Sequence, residues 1–246
     1  MASSIARPLG RRVDHLFFSA LAVAILATVF VGFARTYYLA GLFHAPLPNL
    51  LVHIHGVFFT CWVLLFVAQT SLVAAHRVDL HRRLGLTGFG VAGLMVVLGV
   101  LAATDAQVRH SIPGDPGIEL KAFYTAPITD MLAFSVLILY GYRKRSQPAA
   151  HKRIMLIATI ALLDAAFVRW PVPVTWWGLR AAEVSCYPLL LLLASYDLWT
   201  MKKIHPPTLW GSLFLIVLHQ VRVPLGHTAL WQAFATWVQN FARTFY

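Results

Sequence analysis

Seven stretches of about 20 apolar residues follow one another with only short connectors between them, and this recurrence restricts the chain more than any motif does. An α-helix rises about 1.5 Å per residue, so a stretch of that length crosses a hydrocarbon core of about 30 Å. The stretches lie at 15–35, 50–73, 84–103, 122–142, 154–170, 179–199 and 207–225. The fifth is the shortest, and the seventh carries Gln220, Arg222 and Pro224 close to its end. Hydrophobic residues make up 59% of the 246 positions and charged residues 12%, with a mean hydropathy of +0.70. Soluble domains hold roughly 45–50% apolar and about 25% charged residues, and one of this size has no interior able to hide the excess. Lipid removes that need, provided that every backbone polar group is satisfied within the protein.

The expected fold class is therefore all-α: a polytopic transmembrane helix bundle of about seven spans, forming a single bundle over 1–227. Residues 228–246 then form a C-terminal amphipathic interfacial helix, because Leu230, Phe234, Trp237 and Phe241 recur at helical spacing beside Gln232, Gln239 and Asn240. The longest connection, 104–121, has room only for a short lid. No internal repeat or second domain is visible.

The formal net charge of +11 does not point to nucleic acid, because the basic residues form short clusters between apolar runs, not one stripe. Sorted by connection, 13 of the 20 fall on one side: Arg7, Arg11, Arg12, Arg77, Arg82, Arg83, Arg143, Lys144, Arg145, Lys152, Arg153, Lys202 and Lys203. That bias predicts a cytoplasmic N-terminus in a bacterial inner membrane, with the C-terminus outside. Tyr37, Tyr38, Trp170, Trp176 and Trp177 then form an aromatic belt at the outer interface. The first apolar run is too long for a signal-peptide core and lacks a small-residue cleavage site near its end, so it reads as a retained span. Cys61 and Cys186 both fall inside expected spans, which argues against a disulfide framework.

Two groups of polar residues stand out against this apolar background. The outer group comprises His55, Asp130, Asp164, Glu183 and His219, on five spans and all roughly 7–12 Å inward from the expected outer ends. An ionisable group at such a depth costs on the order of 2.5–3.5 kcal/mol, so five at one level imply mutual pairing or a bound cation. Arg169 and Arg222 are placed to neutralise two of the acids. His53 and His55 diverge by about 200° on a helix, so only one of them faces the interior. The set admits three readings. One is a network of ion pairs that fixes helix register. Another is a metal site, for which His, Asp and Glu suit zinc or non-haem iron although no His-x-x-x-His spacing is present. The last is a proton or substrate pathway.

The inner group comprises His76, His81 in LHRRLG and His151 in HKRIM. Histidines flanked by Arg and Lys at an interface suit solvation or lipid phosphates. Gly85, Gly88, Gly90 and Gly93 nevertheless line the start of the third span, where small residues accommodate a close helix or the flat face of a porphyrin. The succession VHIHGVF and AHRVDLHRRLG resembles the ascorbate-reducible transmembrane cytochromes b. That resemblance covers about 50–170 and implies a b haem held by His81 and His151, with His53 or His55 at the place of the other haem's ligand. The fourth span has no His, and Thr129–Asp130 occupies the remaining ligand position, so only the inner haem is implied. Over its whole length the chain is similar to uncharacterised bacterial polytopic membrane proteins that share the HKRIM and LLDAA pieces.

Three functions follow as expectations. The first is a b-type haem protein transferring electrons from a quinone or a cytoplasmic donor, with His81 and His151 as axial ligands. The second is a metal-dependent membrane enzyme in which His55, Asp130, Asp164 and His219 hold an ion and Glu183 or another carboxylate serves as base. The third is a non-enzymatic subunit or assembly factor acting with other membrane subunits, whose buried charges are structural.

Overall fold

The computed structural model describes residues 8–111, 116–170 and 178–245, without the side chains of residues 8, 9, 11 and 178–182. Arg7, Trp176 and Trp177 lie outside the described residues. The fold is an all-α helical bundle, and no strand occurs among the described residues. Its helices are α1 (Pro8–Phe33), α2 (Leu50–Ala74), α3 (Val78–Arg109), α4 (Ile118–Phe123), α5 (Thr125–Arg143), α6 (Pro148–Ile160), α7 (Asp164–Phe167), α8 (Gly178–Met201), α9 (Pro206–Gly226) and α10 (Ala229–Arg243). A short π-helical run, Ala34–Tyr38, prolongs α1.

Six helical segments are long and apolar enough to cross a membrane. Large apolar side chains stand exposed along them, among them Leu64, Val97, Leu132, Leu191 and Val217. Water would penalise such surfaces and hydrocarbon does not, so these helices make the chain an integral membrane protein in contact with the bilayer.

The remaining expected span, 154–170, is present as helix but is interrupted. α6 begins earlier, with Pro148 in its first turn, where the missing N–H costs nothing. It stops at Ile160, and α7 begins at Asp164. Ile160, Ala161, Leu163 and Asp164 are all buried. Non-helical backbone at membrane depth is tolerated where protein covers it, and here it is covered.

The expected loop 104–121 is also corrected. α3 continues through Arg109, and α4 occupies 118–123. Asp105 does not end the helix, because its carboxylate accepts hydrogen bonds from Asn49 Nδ2 at 2.7 Å and Arg109 Nε at 2.8 Å, which lets it stay buried.

The chain divides into two compact units, each discontinuous in sequence. The first holds 1–47, 59–91 and 163–205; the second holds 48–58, 92–162 and 206–246. In the first unit α7 packs against α1 and α8. A methyl group at Gly32 of α1 would collide with the Ala166 carbonyl of α7, so the two backbones meet only because Gly32 has no side chain. Trp170 Nε1 donates to the Thr28 carbonyl at 3.1 Å and holds the same contact. At the other end of α1, Tyr196 donates to Asp14 at 2.9 Å and stacks on Phe17, ring centres 3.8 Å apart.

In the second unit α5, α6 and α9 pack around Phe134, Leu137, Ile154, Ile157 and Leu215. Gly211 faces Ile157 there, and a Cβ would stand 3.0 Å from Ile157 Cδ1. Both units thus use small residues to bring helices together, since lipid offers no hydrophobic force to do so.

Gly32→Ala should lower thermal stability in detergent by about 1–3 kcal/mol, the usual cost of an overpacked contact. Gly90→Ala, where the added methyl meets nothing within 4 Å, should leave the melting midpoint unchanged or slightly raised. Melting curves of the two variants beside the parent test this, and equal midpoints would contradict the close approach.

Candidate functional site

The interior stripe of α9 is formed by Thr208, Gly211, Leu215, His219, Arg222 and Gly226, spaced three or four residues apart and all buried. The spacing carries a polar pair into an otherwise apolar line. His219 is 1% exposed and Arg222 is 0% exposed. Opposite them, α5 presents Asp130, and Arg222 Nη1 donates to Asp130 Oδ1 at 2.8 Å. A ligand atom of Asp130 and one of His219 lie within 4.8 Å of each other. The second unit therefore brings a carboxylate, an imidazole and a guanidinium to one buried place. Thr129, beside Asp130, is turned elsewhere: its hydroxyl donates to the Thr125 and Ala126 carbonyls of its own helix.

The guanidinium stabilises the ionised form of Asp130, and removing either partner would strand a charge away from water. An ionised carboxylate has about four acceptor positions. Arg222 holds one oxygen of Asp130 and so fixes the orientation of the carboxylate.

The first unit holds the other two acids. Asp164 opens α7 and accepts a hydrogen bond from the Cys186 thiol at 2.9 Å. Cys186 and Glu183 sit three residues apart on α8 and are both buried. Arg169 is not paired with an acid among the described residues. It donates to the Ala165 carbonyl at 2.6 Å and lies 4.9 Å over the Phe33 ring. The expected neutralising role is therefore filled at Arg222 alone.

The remaining histidines divide as follows. On α2, His53 is exposed and His55 is half-buried, as the divergence of adjacent alternate positions requires. His81 is half-buried near the start of α3. His76 is exposed in the turn before α3, with a positive φ of 59°, and meets His15 edge-on. His151, half-buried near the start of α6, has Nδ1 at 2.9 Å from the Gly141 carbonyl. Burial pushes its pKa below the ordinary imidazole value, and the bond to Gly141 opposes part of that shift.

No family model matches the chain, and no similar curated protein or solved structure is found.

The Asp130–Arg222 contact makes a direct energetic demand. Arg222→Met should cost about 3–5 kcal/mol of stability, because Asp130 is left without its cation. Adding Asp130→Asn to that variant should return a large part of the loss, giving a coupling energy of at least about 1 kcal/mol in a double-mutant cycle. Additive losses would mean that the two side chains do not act together.

Proposed function

We propose that the chain is a metal-dependent membrane protein in which Asp130 and His219 hold one transition-metal ion, zinc or non-haem iron. The observation that carries this reading is the approach of a carboxylate and an imidazole to within 4.8 Å inside a buried helix stripe. Zinc takes oxygen and nitrogen ligands at about 2.0–2.2 Å, so two donors on one tetrahedral ion stand roughly 3–3.5 Å apart, within reach of a small side-chain adjustment. Arg222 supports Asp130 from behind, as hydrogen-bonded partners commonly orient metal-binding carboxylates.

Two protein ligands would leave coordination positions open to water or a substrate, one more than three-ligand catalytic zinc sites leave. Asp130 and Arg222 cancel in charge, and a metal-bound imidazole is neutral. The ion's charge would then need an anionic group from solvent or substrate to balance it. Its role is that of a Lewis acid, acidifying bound water or polarising a substrate oxygen. The excess of basic residues in one set of connections supports a cytoplasmic N-terminus.

One observation favours a second reading, the b-type haem electron carrier fed by quinone. If His151 donates its Nδ1–H to the Gly141 carbonyl, its lone pair is on Nε2, the tautomer that an axial imidazole requires. In that reading His151 is an axial ligand.

A single purification distinguishes the readings. Metal analysis should find about one zinc or iron per chain in the parent. Asp130→Ala and His219→Ala should each lose it, and the visible spectrum should be bare. A reducible Soret band lost in His151→Ala would instead establish haem. A colourless protein without metal would contradict both and leave the buried charges a structural role.

A further inference from the structure

The second unit carries another polar feature, at the contact of α4 with α10. Trp231 Nε1 donates to the Lys121 carbonyl at 2.7 Å, and Gln232 Nε2 donates to the Gly226 carbonyl at 2.7 Å and the Ile118 carbonyl at 3.1 Å. Further along α10, Gln239 Nε2 donates to the Gln107 carbonyl, and Gln107 Nε2 donates to the Ala235 carbonyl. Trp231, Gln232 and Gln239 of α10 are thus spent on the protein. Its outward face is an apolar ladder of Leu230, Phe234, Trp237 and Phe241, continued past the helix end by Phe245, all 42–82% exposed, in which Trp237 stacks on Phe241 with centres 5.9 Å apart.

A groove of about 690 Å³ opens beside this ladder, lined by Lys121, His227, Gln232, Trp237 and Asn240 among others. Lys121 donates one of its three ammonium protons to the Pro116 carbonyl at 2.8 Å, leaving two for a ligand. Both ring nitrogens of His227 are engaged, Nδ1 at 3.0 Å from the Val223 carbonyl and Nε2 at 3.3 Å from Glu119. His227 therefore adds no donor, and Glu119 is occupied by it. Among the residues that line the groove Lys121 carries the one permanent charge, and Asn240 lines the same groove. Trp237 belongs to both surfaces, so the cationic groove runs directly into the exposed aromatic ladder.

We propose that this groove is a binding site for one anionic phospholipid molecule. The phosphodiester accepts hydrogen bonds from Lys121 and Asn240, and an acyl chain lies along Phe234, Trp237 and Phe241. A free anion matches only the polar half of the surface, and a plain hydrocarbon only the aromatic half. A molecule with one negative phosphodiester joined to long apolar chains matches both, and charge-assisted bonds to phosphate supply the specificity.

The test uses the full chain in detergent, with the melting midpoint followed during titration with phosphatidylglycerol, with diacylglycerol of the same chains, and with inorganic phosphate. Phosphatidylglycerol should raise the midpoint saturably, and the other two should not. The double variant Lys121→Glu/Asn240→Ala should weaken the apparent affinity for phosphatidylglycerol by at least about tenfold. Lys121→Met serves in its place should that protein not fold, and Trp237→Ala should weaken the same titration. An unchanged titration in the variants would overturn the proposal. So would equal stabilisation by phosphate, which would make this a small-anion site, or by diacylglycerol, which would make it a greasy surface without headgroup recognition.

Discussion

A span that turns apolar side chains outward has nowhere to put a charge along its length except inside, and there each charge must find its partner. The Arg222–Asp130 pair shows this constraint most directly, with a fully buried guanidinium 2.8 Å from a carboxylate. The cost of removing both ions from water is offset only by their mutual attraction and by hydrogen bonds to the remaining polar atoms. The same requirement explains Asp105 between Asn49 and Arg109, Asp14 with Tyr196, and Asp164 with Cys186. Each of these acids accepts a bond from a residue far along the chain, so each also fixes how helices meet.

Such pairing governs what could be read from sequence. The spans were legible because hydropathy is a property of composition over about 20 residues, and solvent alone decides the outcome. Helix ends were less legible wherever a charge is satisfied by tertiary contact. Asp105 looked like loop, yet Asn49 on a distant segment keeps it in α3. The interruption at 161–163 left no trace, since no Gly or Pro occurs between Ile154 and Phe167 and the segment is uniformly apolar apart from Thr159 and Asp164. Burial makes that break tolerable, and burial is not a local property.

The candidate site was legible in part for the same reason. His219 and Arg222 stand out because three-residue spacing puts both on one helix face, and a charge inside a span demands an acid. Asp130 was the acid that met that demand. Arg169 carried an identical signal but sits where its guanidinium reaches a backbone carbonyl and the Phe33 ring. Cys186 was read only as a cysteine inside a span that argues against a disulfide framework, although its spacing of three from Glu183 was visible. Only the fold reveals that its thiol meets Asp164.

A half-buried carboxylate oriented by a buried arginine, with a buried imidazole beside it, is a polar place where the bilayer tolerates few. The metal reading gives that arrangement a chemical purpose, because two ligands and open positions turn a buried charge pair into a Lewis-acid site. X-ray absorption on the zinc-loaded protein in detergent measures this most directly. The account predicts a first shell of nitrogen and oxygen only, at about 2.0–2.2 Å, with the multiple scattering of a single imidazole that disappears in His219→Ala. A sulfur shell at about 2.3 Å, or a spectrum unchanged by that substitution, would place the metal elsewhere and contradict it.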